Sequence, residues 1–260
     1  MLDCAKWCVV ALSVLLSFPC LADGRVPDVI EAATLGAPPL WVAAEVAITQ
    51  DGTLDERIVG PAGVAAYRRW ERSTQQHRER LHRAGRNPAR DECLFSTGRG
   101  PTHAKPTSTA DDLVTNAERI VSGRVTELRQ GFFLGQPGSL ASLVDIKVAN
   151  DTSSDEEPLF VFVPQAKIDL AFGVVCADLG SGNFRLVPGD RIVAFSMQAP
   201  YAGDGYRVIA PDVHRELVVQ SREHGLKPPR AFPIEQFDSI DRIECAVGLA
   251  TKPTRSATST

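Results

Sequence analysis

The residues of this chain best suited to chemistry do not converge on a reaction. His77-Arg-Glu-Arg-Leu-His82 sets two imidazoles five positions apart on an expected helix. Two zinc ligands on one helical face need a separation of three or four, and five turns the second ring about 140° away. The glutamate that follows the first histidine in zinc proteases is also missing, so both read as surface residues. His103 falls in a polar stretch, and His214 and His224 flank a strand end with no cysteine or carboxylate cluster at ligand spacing. Asp151, Asp155, Glu156 and Glu157 share only composition with a calcium loop, lacking its alternating oxygen ligands and central glycine. Asn150-Asp-Thr152 fits the N-glycosylation pattern, which matters only in a eukaryotic source. Gly180-Ser-Gly182 and Gly203-Asp-Gly205 read as hairpin glycines, because neither opens a helix after a strand as a phosphate cradle must. No serine stands in a nucleophile elbow, and nothing singles out a carboxylate pair among 32 acidic residues. The sequence assigns no catalytic residue, metal or cofactor.

Three cysteines bear on the compartment. Residues 1–22 place Lys6 before an apolar stretch of about 12 residues, Trp7 to Phe18, followed by Cys20-Leu21-Ala22. That is the pattern of a Sec signal peptide, and the stretch falls short of the roughly 20 residues a spanning helix needs. Lipidation at Cys20 is disfavoured, since Phe18 and Pro19 stand where small residues belong. Removal of this leader takes Cys4, Cys8 and Cys20 and leaves Cys93, Cys176 and Cys245, which an oxidising compartment can join as one disulfide with one thiol over. Spacing does not choose among the three pairings. With 22 arginines to 6 lysines the composition is that of a GC-rich bacterial genome, and the expected location is periplasm or medium.

Charge is unevenly spread. Between Val64 and Arg90 eight arginines face two glutamates, in a chain of formal net charge −4. Arg68, Arg69, Arg72 and Arg80 are the candidate contacts for an anionic surface such as phospholipid, a cell-wall polymer or an acidic partner, set against the plainer reading of a solvated helix face. Arg124 and Lys147, with Thr126 and Asp145, would lie on the exposed face of the first strands, where a small barrel commonly binds, set against the plainer and favoured reading of the solvent side of half-buried strands. Nucleic acid is not expected as a partner, because an exported protein seldom meets it and no aromatic residues are interleaved with cations on a strand platform.

The elements that must position these residues follow from pattern. Leu40 to Thr49 and Thr53 to Val59, around Asp51-Gly52, predict a hairpin. Ala62 to about Ala84 predicts a helix, with Val64, Tyr67, Trp70, Thr74, His77 and Leu81 recurring at spacings of three and four. Ser96 to Ala110 has the composition of a linker, and Ser108 or Thr109 can cap a short helix reaching about Ala117. Strands follow over Ile120 to Leu128, with a bulge or a close backbone approach at Gly123, and over Ser139 to Ala149, with Gly131 to Gly138 turning between them. Leu159 to Val163 and Ile192 to Phe195 are apolar on both faces and therefore central. Further strands are expected at Leu170 to Cys176, Tyr206 to Ile209 and Glu216 to Gln220. Pro233 to Glu244 predicts a short amphipathic helix with Ile234, Phe237, Ile240 and Ile243 on its packed face.

Leu113 to Gly123 with Val125, the run Ser139 to Val148, Leu159 to Val163, Cys176 and Pro188-Gly-Asp-Arg-Ile-Val193 resemble a domain of uncharacterised secreted bacterial proteins. In that domain a short helix precedes a strand of the form acidic residue, two aliphatics, any residue, glycine, any residue, valine, and a glycine-acidic-arginine entry opens a later buried strand. It is similar in topology to oligonucleotide/oligosaccharide-binding (OB) barrels and to the netrin-like modules of metalloproteinase inhibitors. The resemblance spans about 110 residues and implies an OB-like barrel. Inhibitor activity is not implied, because those inhibitors use a processed amino-terminal cysteine and the mature chain here begins near Asp23.

The expected fold is mainly β with flanking helices (α+β), a barrel of five or six strands. Its organisation is a leader (1–22), an amino-terminal segment of hairpin and arginine-rich helix (23–95), a linker (96–110), the barrel (111–220) and a helix with disordered tail (221–260). The expected role is that of a non-enzymatic binding or interaction module of the cell envelope. The alternative is a hydrolase or metal-dependent enzyme whose site is assembled from dispersed residues.

Overall fold

The computed structural model describes residues 25–96, 114–149, 158–177, 185–196, 198–203, 205–210, 217–221, 225–227 and 239–249. The amino-terminal elements are β1 (Val29–Ile30), β2 (Trp41–Ala43), α1 (Ala44–Ala47), α2 (Glu56–Arg83) and β3 (Phe95–Ser96). The long pair β4 (Arg119–Phe133) and β5 (Gln136–Ala149) comes next, then β6 (Leu159–Val163), β7 (Ala166–Leu170), β8 (Gly173–Ala177) and β9 (Arg191–Ser196). The chain continues through β10 (Tyr201–Gly203), β11 (Tyr206–Ile209), β12 (Leu217–Ser221), β13 (Gly225–Lys227) and α3 (Ile240–Ala246).

The fold is mixed α+β, dominated by one large sheet. Its strands run in the order β10-β11-β6-β5-β4-β9-β12-β13, with β2 joined to β4 and β1 to β2, while β3-β8-β7 form a separate small sheet. Pairing is antiparallel except at β11 with β6 and β3 with β8. Among the described residues no ladder joins the two ends of the large sheet. The bulge expected at Gly123 is present, as a register shift between Ser122 and Arg124.

Both long strands run further than the glycines suggested. Leu134 and Gly135 make the whole turn, with φ of 46° and 74°, and Phe132 and Phe133 continue β4 up to it. Two residues with positive φ match the right-handed twist of the strands they join. Gly131 and Gly138 instead allow close approach within the sheet. A Cβ on Gly131 would stand 2.2 Å from the Val42 carbonyl oxygen, and one on Gly138 would stand 2.3 Å from the Phe162 ring.

The expected amino-terminal hairpin is not formed. Asp51-Gly52 does turn the chain, but only the isolated Ile48–Leu54 bridge flanks it. Residues 44–47 are helical, and the Asp55 side chain accepts from the Arg57 amide at 3.0 Å, capping α2 and drawing residues 56–59 out of the extended state. Within α2, Gly60 breaks the helix with φ 68° and ψ 175°, and Pro61 restarts it at a first-turn position where its missing N–H costs nothing. The expected Leu170 to Cys176 strand is likewise two strands. Ala171 and Phe172 form the turn between β7 and β8, and the Phe172 ring packs edge-on against Tyr67 of α2 at 5.1 Å.

β6 and β9 are buried on both faces, as their unbroken apolar runs indicate. Leu159, Val161 and Val163 join Val121, Val125, Ala141, Leu143, Ile192, Ala194 and Ile209 in one core, while Phe160 and Phe162 pack on the far side with Trp41, Phe133 and Leu140. Val193 and Phe195 of β9 meet Ile240 and Ile243 of α3, the packed face expected for the tail helix. The stripe Val59, Ala66 and Trp70 of α2 covers Phe132 and the β7–β8 hairpin. Cys93 and Cys176 form a disulfide that ties the chain after α2 to β8, and Cys245 is a free, exposed thiol. The leader, most of the linker, the acidic loop and the tail beyond Leu249 lie outside the described residues, as do His103, His214 and His224.

Candidate functional site

The bulge at Gly123 and the pairing of β4 with β5 and β9 bring the strand-face cations together. Ser122 stands opposite Lys147 across one ladder, and Arg124 opposite Arg191 across the other. Directly opposed like charges repel, and each cation here has its own counter-ion. Arg124 pairs with Asp145 at 2.7 Å; Arg191 reaches Asp241 at 2.8 Å and Glu244 at 2.9 Å; Lys147 donates to the second oxygen of Glu244. Thr126 donates to the Ser142 carbonyl at 3.2 Å.

Glu244 is the centre of this network. It is 4 % exposed and lies on the packed side of α3 beside Ile240, where it accepts hydrogen bonds from Ser122, Lys147 and Arg191. Burial pushes its carboxyl up, but the hydrogen bonds from Lys147 and Ser122 and the charge of Arg191 outweigh that and hold it below the ordinary glutamate value. Three cations therefore meet three carboxylates. The Ser122 hydroxyl is buried and engaged, and the Lys147 ammonium is paired, so neither is placed to serve as nucleophile or base.

The arginines of α2 are placed differently. At 100° per residue, Arg68, Arg72, Arg83, Arg69 and Arg80 fall within an arc of about 120° on the helix surface. The buried residues Val59, Gly63, Ala66, Trp70 and Thr74 centre on the opposite side. All five arginines are exposed, and among the described residues none of them makes an ion pair. Arg80 and Arg83 reach only the carbonyls of Gln76 and Glu79 within the helix, each at 3.4 Å. Glu79 is the one carboxylate on the arc. The other three arginines of the stretch are engaged: Arg78 donates to the Phe172 carbonyl at 3.3 Å, Arg86 pairs with Glu92, and Arg90 lies 3.8 Å from Asp169.

A cleft of about 740 Å³ lies between β1, α1 and the bent part of β4, lined by Arg25, Asp28, Glu45, Glu127, Arg129 and Tyr206 among others. Its charges serve the fold. Arg129 pairs with Asp28 and Glu45 and donates to the Val26 carbonyl at 2.9 Å, and Glu127 accepts from the Val26 amide at 2.9 Å. Among the described residues no three of His, Cys, Asp and Glu group to hold a metal, and no helix is long and apolar enough to cross a membrane.

Of the six candidate contacts, the structure gathers Arg68, Arg69, Arg72 and Arg80 on one face and places Arg124 and Lys147 in the strand network. Sequence reasoning missed Ser122, Arg191 and Glu244. The signal for Glu244 was available: a glutamate four residues after Ile240 and three before Val247 sits within the apolar stripe of its helix, where a charge requires partners. No family model, curated protein or solved structure matches the chain.

Proposed function

We propose that the chain is an exported, non-enzymatic binding module of the cell envelope, built on an opened OB-like barrel, which engages an anionic component through the arginine arc of α2. The observation that carries this reading is that Arg68, Arg69 and Arg72 are exposed and make no ion pair among the described residues, whereas the strand-face cations are neutralised within the molecule. Support for the barrel comes from the convergence of β4, β5, β6, β9 and β11 side chains on one apolar cluster, and from the bulge that bends β4. Export is supported by the signal-like leader and by the Cys93–Cys176 disulfide, a bond that persists in oxidising compartments.

The test uses the purified mature chain on an anionic matrix. At neutral pH the whole protein is negative, so retention requires a local basic surface. Retention lost on replacing Arg68, Arg69, Arg72 and Arg80 by glutamine is the expected result. Stoichiometric binding of a divalent ion with a large rise in Tm would overturn the reading in favour of a metal-dependent activity.

A further inference from the structure

The shape of the arc says more about its partner than its charge does. Arg68 to Arg83 spans about 22 Å along the helix, and the guanidinium groups spread over about a third of its circumference. The cations thus form a two-dimensional, convex patch. A polymer threaded along the helix would meet only the row of Arg68, Arg72 and Arg83 or the row of Arg69 and Arg80. A surface of many phosphates can meet both rows at once. Neither row lines the cleft at Arg129 or the second one, of about 490 Å³, beside Pro38 and Pro61. Besides these arginines the arc carries Pro61, Ala62, Ala65, Gln76 and Glu79, so no aromatic ring is available to stack on a base or sugar and no large apolar side chain is available to enter a hydrocarbon layer.

We infer that the arc is a peripheral docking face for the headgroup phosphates of an anionic phospholipid bilayer, with α2 lying flat on the surface and held by charge alone. The inference rests on the reading of α2 as the docking face and names the partner. Each arginine at such a surface strengthens partitioning about fivefold, and the attraction falls off within a Debye length.

The experiment is sedimentation of the disulfide-bonded mature chain with vesicles of phosphatidylcholine alone or mixed with phosphatidylglycerol, beside soluble polyphosphate as a second ligand. Binding is expected to the mixed vesicles only, and to be lost between about 0.05 M and about 0.5 M salt. Replacing Arg68, Arg69, Arg72 and Arg80 by glutamine should weaken it roughly a few hundredfold, and Arg72→Glu alone, which reverses one charge in mid-arc, about 25-fold. Replacing the same four by lysine should preserve most of the binding. Arginine-dependent binding of polyphosphate without binding to the mixed vesicles overturns the bilayer and leaves the docking face standing. Binding to neither overturns both. Binding to the mixed vesicles that survives Arg72→Glu unchanged, or that is equal on neutral vesicles, overturns the arc as the membrane contact.

Discussion

Helices α2 and α3 are attached to the strands in opposite ways. α3 is short and lays a buried carboxylate on the strand face, where Glu244 engages Lys147, Arg191 and Ser122. α2 is long and packs by an apolar stripe centred on Trp70, with the Cys93–Cys176 disulfide fastening the chain that leaves it. The difference decides where free charge remains. Attachment of α3 supplies the counter-ions of Lys147 and Arg191, with Arg124 paired inside the sheet by Asp145, while attachment of α2 by apolar contacts leaves its outer arginines without an ion pair among the described residues.

Breaking the fastening on the α2 side should have the largest effect. Replacing Cys93 and Cys176 together by serine reopens a loop with a sequence separation of 83. The chain-entropy model then gives a loss of about 4.5 kcal/mol, read as a fall in the midpoint of urea unfolding. On the α3 side, Glu244→Ala should lower stability by about 2–3 kcal/mol. That is less than the cost of fully burying an unpaired charge, because Lys147 and Arg191, at 27 % and 32 % side-chain exposure, regain water.

The pH dependence sharpens the contrast. The folded-state value of Glu244 is held below the ordinary 4.5, so the stability it contributes is fully present above that value and is lost as pH falls through the lower folded value. The advantage of the wild type over Glu244→Gln in urea unfolding should therefore be constant from pH 7 down to about 5 and shrink below pH 4.5. The smallest effect is expected on the arc of α2: the four arginine-to-glutamine changes should shift stability by within about 0.5 kcal/mol each, since these side chains are exposed and make no ion pair among the described residues.

What the sequence made legible was whatever period and burial alone decide. Leu159–Val163 and Ile192–Phe195 stood out as central because nothing polar interrupts them, and both are buried on their two faces. The arginine arc was legible because a helical period of 3.6 places the residues opposite the Trp70 stripe. Gly131 and Gly138 misled because glycine serves a turn and a close approach equally well, and only the neighbouring Trp41 and Phe162 decide between them. The amino-terminal hairpin failed where a local cap at Asp55 outweighed an alternating pattern. The counter-ions of Arg124, Lys147 and Arg191 depend on register and on the seating of α3, and register is a tertiary property.

The central claim is that free positive charge resides on α2 and not on the strand face. The most direct measurement compares the salt concentration that elutes the mature wild type, the Arg68/Arg69/Arg72/Arg80→Gln protein and Arg124→Gln from one anionic matrix. We expect the α2 variant to pass through unretained and Arg124→Gln to elute with the wild type. Retention of the α2 variant together with early elution of Arg124→Gln would contradict the account.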